Sequence, residues 1–246
     1  MRLKPLLVLM LAMALPMAAT ADVNGTASTN KHLTNLGPAA YDLAIVLEGT
    51  YGVYQTCPGY KTSDLGPVGW FSGFNPTFKN GNTVLHWQSF DDGPGIDNSQ
   101  IDTNQTIHVG YSAPEDRKVV DMYWTDLEGK RIGGSIVYDV HAGKTYKGSR
   151  FSVILENVQQ ATASLKNIRY AVLSEPLPLD QLSDQNAELE SALSSLSSDL
   201  GLAPGEAISL EIPVSVPESS AVVVIYEVNA EGSGASVVNH VQMIAE

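Results

Sequence analysis

Hydrophobic and polar positions alternate with a period of two along most of this chain, the pattern of strands buried on one face. In Asn82 to Phe90, Leu85 and Trp87 share one face and Val84, His86 and Gln88 the other. In Thr106 to Tyr111, Ile107, Val109 and Tyr111 fall together. Tyr41 to Leu47, Val119 to Thr125 and Ile132 to Val140 complete a first set of expected strands. Phe151 to Val158, Ile168 to Leu173, Ile208 to Val216, Ala221 to Val228 and Val237 to Ile244 form a second. Gly, Pro and Asn separate the runs, as turns between short strands require. One stretch changes period. Leu182, Leu189, Leu193, Leu196 and Leu200 recur at helical spacing after Pro176 and Pro178, and Gly201 sits where a helix stops. This predicts an amphipathic helix over about 181–200. Its leucine stripe is expected to pack on the neighbouring sheet, since an exposed stripe invites aggregation; an exposed docking helix is the competing reading.

The expected fold is therefore mostly β, with two β-sandwich domains, 38–145 and 150–246, and the helix inserted in the second. Residues 22–37 are rich in Asn, Thr, Ser and Gly and are expected to be a flexible lead-in. The boundary is placed in His141 to Ser149, which is rich in Gly and Lys. The halves share landmarks in the same order. Ile45 to Gly49 matches Val153 to Asn157, and Asn104 to Tyr111 matches Gly205 to Ile212 in alternation. A β-rich strand and a Glu-Gly turn follow in each, Glu128-Gly129 and Glu231-Gly232. An internal duplication is the expectation; coincidence of degenerate strand patterns is the alternative. The sequence Pro204-Gly205-Glu206, an alternating strand, a β-rich strand and a Gly turn resembles immunoglobulin-like extracellular modules over 150–246. The Cys–Trp–Cys core of true immunoglobulin domains is absent.

The first residues add a location. Arg2 and Lys4 precede the apolar run Leu6 to Leu15, Pro16 breaks it, and Ala19-Thr20-Ala21 offers small residues for cleavage. Residues 1–21 are expected to be a secretory signal peptide, too short in its apolar core to span a bilayer, leaving a secreted or periplasmic chain from Asp22. No later run is long enough for a transmembrane segment. A formal charge of −13 argues against nucleic acid and anionic membrane surfaces as partners. Cys57 is the only cysteine, so an internal disulfide is excluded; a buried thiol is the plain expectation for it, with an intermolecular disulfide or a reactive thiol as alternatives.

Candidate chemistry is sparse. Asp91, Asp92, Asp97 and Asp102 lie in one Gly-containing loop. Carboxylate oxygens in a flexible acidic loop suit calcium, the one candidate cofactor, although the spacing departs from the EF-hand pattern and a solvated loop is the default. Tyr51, Tyr54, Tyr60, Trp70 and Phe74, with Phe71 and Phe78, crowd a Gly- and Pro-rich segment, 51–78. Such rings stack on sugars or partner proteins, or plug the end of a sandwich. His86 and His108 could share a metal ion if their strands were neighbours; His32, His141 and His240 show no useful local spacing. No Gly-x-Ser-x-Gly elbow, His-Glu-x-x-His or P-loop is present, and no residue is assigned a catalytic role. The function expected is a secreted or periplasmic, non-enzymatic binding or structural protein of a surface or matrix assembly, with an unknown protein or polysaccharide partner. The alternative is a secreted carbohydrate-active protein, a binding module or a hydrolase, using the aromatic segment 51–78. Two carboxylates about 5 to 10 Å apart across a cleft would mark the hydrolase.

Overall fold

The computed structural model describes residues 26–50, 55–61, 68–70, 73–88, 100–114, 117–126, 128–136, 140–183, 186–230 and 236–246. The strands of the first half are β1 (Thr26–Thr34), β2 (Asp42–Leu47), β3 (Gln55–Lys61), β4 (Val68–Trp70), β5 (Gly73–Lys79), β6 (Asn82–Gln88), β7 (Thr106–Pro114), β8 (Val119–Thr125) and β9 (Arg131–Ile136). Those of the second are β10 (His141–Lys147), β11 (Arg150–Glu156), β12 (Ala163–Leu173), β13 (Ser194–Ser197), β14 (Leu200–Leu202), β15 (Ala207–Glu211), β16 (Ala221–Ala230) and β17 (Ser236–Ile244). A 3-10 turn, Leu179–Gln181, and one helix, α1 (Ala187–Ala192), complete the described elements. The chain is mostly β, as its alternation demands.

The strands form three antiparallel sheets. The largest, nine-stranded, runs β13-β12-β16-β17-β1-β7-β3-β4, with β14 also on β12. The three-stranded sheet β10-β11-β15 covers its β12-β16-β17 flank, and Phe151, Val153 and Leu155 meet Leu165, Tyr170, Val224 and Tyr226 there. The five-stranded sheet β5-β6-β2-β8-β9 covers the β1-β7 flank, burying Leu43, Ile45, Trp87, Met122 and Trp124 against Leu33, Ile107 and Val109. Both cores lie on one face of the large sheet, here its inner face. Tyr226 Oη donates to the Val140 carbonyl, 2.9 Å away, and ties the layers where they meet.

The lead-in expectation fails for residues 26–34. They form β1, the strand that joins the halves, paired with β17 from Ser28↔Gln242 to Leu33↔Val237 and with β7 from Thr26↔Pro114 to Thr34↔Thr106. Polar composition misleads because β1 buries polar residues: Asn30 and Lys31 are 0% and 2% exposed. Its ladder bonds go to strands more than 70 residues away in sequence, which no local pattern reports. His141 to Ser149, expected to link two modules, is instead β10 and the start of its hairpin to β11. A Lys118–Glu156 ion pair of 2.7 Å and a Gln159 Nε2 bond to the Val119 carbonyl add further contacts between the halves. The landmarks for duplication separate too. β2 and β11 are each the middle strand of a smaller sheet, but β7 lies in the large sheet and β15 in the three-stranded one. β8 and β16 fall in opposite layers as well. Period-two alternation is shared by any half-buried strand and does not identify a strand's place in a fold.

The helix expected over 181–200 shrinks to six residues, 187–192. Asn186 caps it, its Oδ1 accepting from the amides of Glu188 and Leu189. Leu193 is already extended, and the serine-rich run after it pairs with β12 as β13 and β14. Serines are weak helix formers, and Leu196, Leu200 and Leu202 also satisfy an even spacing. The leucine stripe is thereby divided. Leu182 and Leu189 pack on the outer face of the large sheet, while Leu196, Leu200 and Leu202 join the inner core. Asn186→Ala is expected to lower stability by about 1 kcal/mol. A urea midpoint that does not move would mean that Leu189 packing alone holds this turn.

Candidate functional site

Strand register builds a polar stripe on the outer face of the large sheet. On β1, Ala27 and Leu33 enter the cores, so Ser28, Asn30, His32 and Thr34 point the other way. Opposite them stand Ser112, Gly110, His108 and Thr106 of β7, and Gln242, His240 and Val238 of β17. Serine and threonine pairs satisfy the ends: Ser28–Ser112 and Thr34–Thr106, both 2.9 Å between hydroxyls. The middle holds three imidazoles. The His32 and His108 ring centroids are 4.7 Å apart, edge-on, and those of His32 and His240 are 5.2 Å apart, tilted.

Two described stretches, 177–183 and 186–193, cover this stripe. Asn30 Nδ2 donates to the carbonyls of Leu179 and Leu182, both 2.6 Å away. Gln242 grips Leu177, accepting from its amide at 2.8 Å and donating to its carbonyl at 3.1 Å. Leu179, Leu182 and Leu189 close over Ala171, Val223 and Ile225, and Arg169 reaches Glu190 of α1 at 2.9 Å. Under this cover His108 and His240 are both 0% exposed. Both nitrogens of His240 and the Oδ1 of Asn30, its register partner, are buried without a hydrogen-bond partner. Burial lowers the His108 imidazole from 6.5 to about 3, with the His32 charge a lesser cause. Burial first, then His32, His108 and Arg169, holds His240 well below 6.5. The two are thus neutral at pH 7.

This cluster was not legible in the chain. His86 and His108, which could share a metal ion only if their strands were neighbours, lie in different sheets. His86 is instead 3.4 Å from Asp42. His32, His108 and His240 converge through ladders that span most of the sequence. Among the described residues, no group of three or more His, Cys, Asp or Glu is arranged to hold a metal ion.

The other expected sites are placed as follows. Asp91, Asp92 and Asp97 lie outside the described residues, as do Tyr51 and Tyr54. Asp102 is exposed and accepts from Gln100 Nε2 at 2.7 Å. Tyr60 and Trp70 are register partners between β3 and β4, and Tyr60 is also opposite His108. Phe74 stands opposite the buried Trp87. Cys57 takes the ladder position opposite Gly110.

Two further places carry polar chemistry. At the junction of the cores a cavity of about 30 Å³ is lined by Lys31, Tyr111, Arg117, His141 and Tyr226. Lys31 Nζ donates to Asn239 Oδ1 at 2.7 Å there. The second is open. On the outer face of the five-stranded sheet a concavity of about 530 Å³ is lined by Asn82, Val84, Val120, Asp121, Tyr123 and Arg131, among others. The Arg131 guanidinium makes two bonds to Asp121, 2.7 and 3.2 Å, and lies 4.6 Å from the Tyr123 ring centroid. Val120 beside it is 41% exposed. No protein-family model matches the chain, and neither a curated protein nor a solved structure matches it.

Proposed function

We propose that this is an exported, non-enzymatic binding protein of a surface or extracellular assembly, and that its partner docks on the outer face of the five-stranded sheet. The observation that carries the proposal is the open patch around Tyr123. An aromatic ring, a guanidinium fixed in orientation by Asp121, and exposed Val120 offer apolar area with directional polar groups, the mixture that makes interface anchors. Export rests on the basic start and apolar run of residues 1–21. The same proposal takes the two layered halves as immunoglobulin-like modules joined through β1; the support is a separate core between each smaller sheet and the large one.

A second reading, a carbohydrate-binding protein, is favoured by one observation. Tyr60 and Trp70 are register neighbours at the edge of the large sheet, which brings two residues of the aromatic segment together. The test uses purified protein co-sedimented with envelopes of the exporting cells and, separately, with cellulose and chitin. Envelope binding is expected to weaken about tenfold in Tyr123→Ala, roughly 1.4 kcal/mol, and to be untouched in Trp70→Ala. Binding to the polysaccharides that Trp70→Ala abolishes would select the second reading. Envelope binding indifferent to Tyr123→Ala and to Val120→Asp would remove the proposed face.

A further inference from the structure

We propose that the His32–His108–His240 cluster is an acid-sensitive latch, whose protonation lifts the 177–193 cover from the outer face of the large sheet while both cores stay folded. The inference concerns a different face from the docking patch and stands apart from it.

The geometry supplies the reasons. An imidazolium buried beneath the cover has lost its water, and its neighbours on the sheet are two more imidazoles. The charged groups near it give little relief. From β12, Arg169 repels it, and Lys166 stands in the His32 row, two strands beyond Val238. Glu190 of α1 is engaged by Arg169, and Glu188 is exposed. Glu227 of β16 stands in the His32 row, one strand beyond Val238, and accepts from Asn229 Nδ2 at 3.1 Å. From β3, Tyr60 and Cys57 hold the ladder positions opposite His108 and Gly110. The backbone turn of the cover adds Asp180.

Hydration of a protonated ring requires either breaking the sheet or removing the cover. The sheet is held by continuous ladders on both sides of β1 and by two cores. The cover is held by Asn30, Gln242, one half-exposed ion pair and three buried leucines. The cover is the weaker attachment, so it yields first, as local opening of the least stable unit. The burial that keeps His108 and His240 neutral at pH 7 is the force that opens the segment when acid supplies protons.

Hydrogen–deuterium exchange of the full chain, read by segment at pH 7.5 and pH 5 with intrinsic rates corrected, tests this. At pH 5 the protection of 177–193 is expected to fall at least tenfold relative to pH 7.5, while β2 and β11 keep theirs. The double variant H108Q/H240Q is expected to hold the cover equally at both pH values. Asn30→Ala, which keeps all three imidazoles and removes one tether, should move the release to higher pH, and it serves if the double variant does not fold. Protection of 177–193 that is unchanged by acid in the native chain, or that is lost only together with β2 and β11, overturns the proposal.

Discussion

A chain that begins at Leu36 is expected not to fold, whereas one that begins at Asn24 melts cooperatively. The difference is β1. Without it β17 and β7 become open edges in the middle of the large sheet, and each core loses part of its floor. Leu33 alone, fully buried, contributes on the order of 1.5–3 kcal/mol. Asn30 also holds the cover and Lys31 binds Asn239 across the sheet. Stripping the hydrogen-bond partners from two internal strands adds to this, and the sum exceeds what a domain with about 5–15 kcal/mol of net stability can lose. Near-UV circular dichroism and a thermal melt of the two chains decide the matter. Equal melting temperatures would make residues 26–34 dispensable and restore the lead-in reading of that segment.

β1 also shows where the sequence stops being informative. Strands whose inner residues are apolar and outer residues polar were legible to within a few residues. Val119 to Thr125 is β8 as expected, Thr106 to Tyr111 lies within β7, and Val237 to Ile244 within β17. Those positions obey a rule that burial of one face enforces locally. β1 does not obey it, because polar Thr29 and Lys31 are buried between Ala27 and Leu33 on its inner face. Its second face packs against the 3-10 turn Leu179–Gln181 rather than water, so it carries Asn30 and His32 where a solvated face would carry charges. β13 and β14 were missed for another reason. Their serines and leucines fit two periods, and the free edge of β12 chose between them.

The candidate sites divide along the same line. Sequence reasoning looks for residues close together in the chain, and the aspartate loop and the aromatic segment were singled out in that way. The histidine cluster draws on strands near residues 32, 108 and 240, so no window of sequence contains two of its members. A signal did exist: each histidine stands alternate to apolar residues that enter a core, beside Leu33, Ile107 or Val241. That places all three on the opposite face of their strands. What was missing was the knowledge that β7, β1 and β17 are adjacent, and this comes only from the closure of both halves onto β1.

With the cover closed throughout, lowering the pH from 7 to 4 is expected to cost the protein more than about 3 kcal/mol of stability through His108 alone. The sign follows from proton counting. The unfolded chain binds a proton at His108 near the ordinary 6.5, and the folded chain does not until about 3. The unfolded state therefore holds more protons throughout that interval, and stability falls as pH falls, at about 1.4 kcal/mol per pH unit. His240, also held well below 6.5, adds a loss of the same sign. With both rings buried and neutral the slope is thus steeper than that of His108 alone. Urea titrations at half-unit steps of pH measure it. A slope below that of one proton per molecule would mean that the rings are solvated at neutral pH and that the cover does not seal them. Release of the cover leaves a further mark on the same curve. Once the segment lifts, His108 and His240 titrate as they do in the unfolded chain, the proton difference vanishes, and the contribution of both to the slope falls to zero. The pH at which the line bends is then the pH at which the latch opens, and the stability lost above the bend equals the free energy that held the 177–193 segment in place.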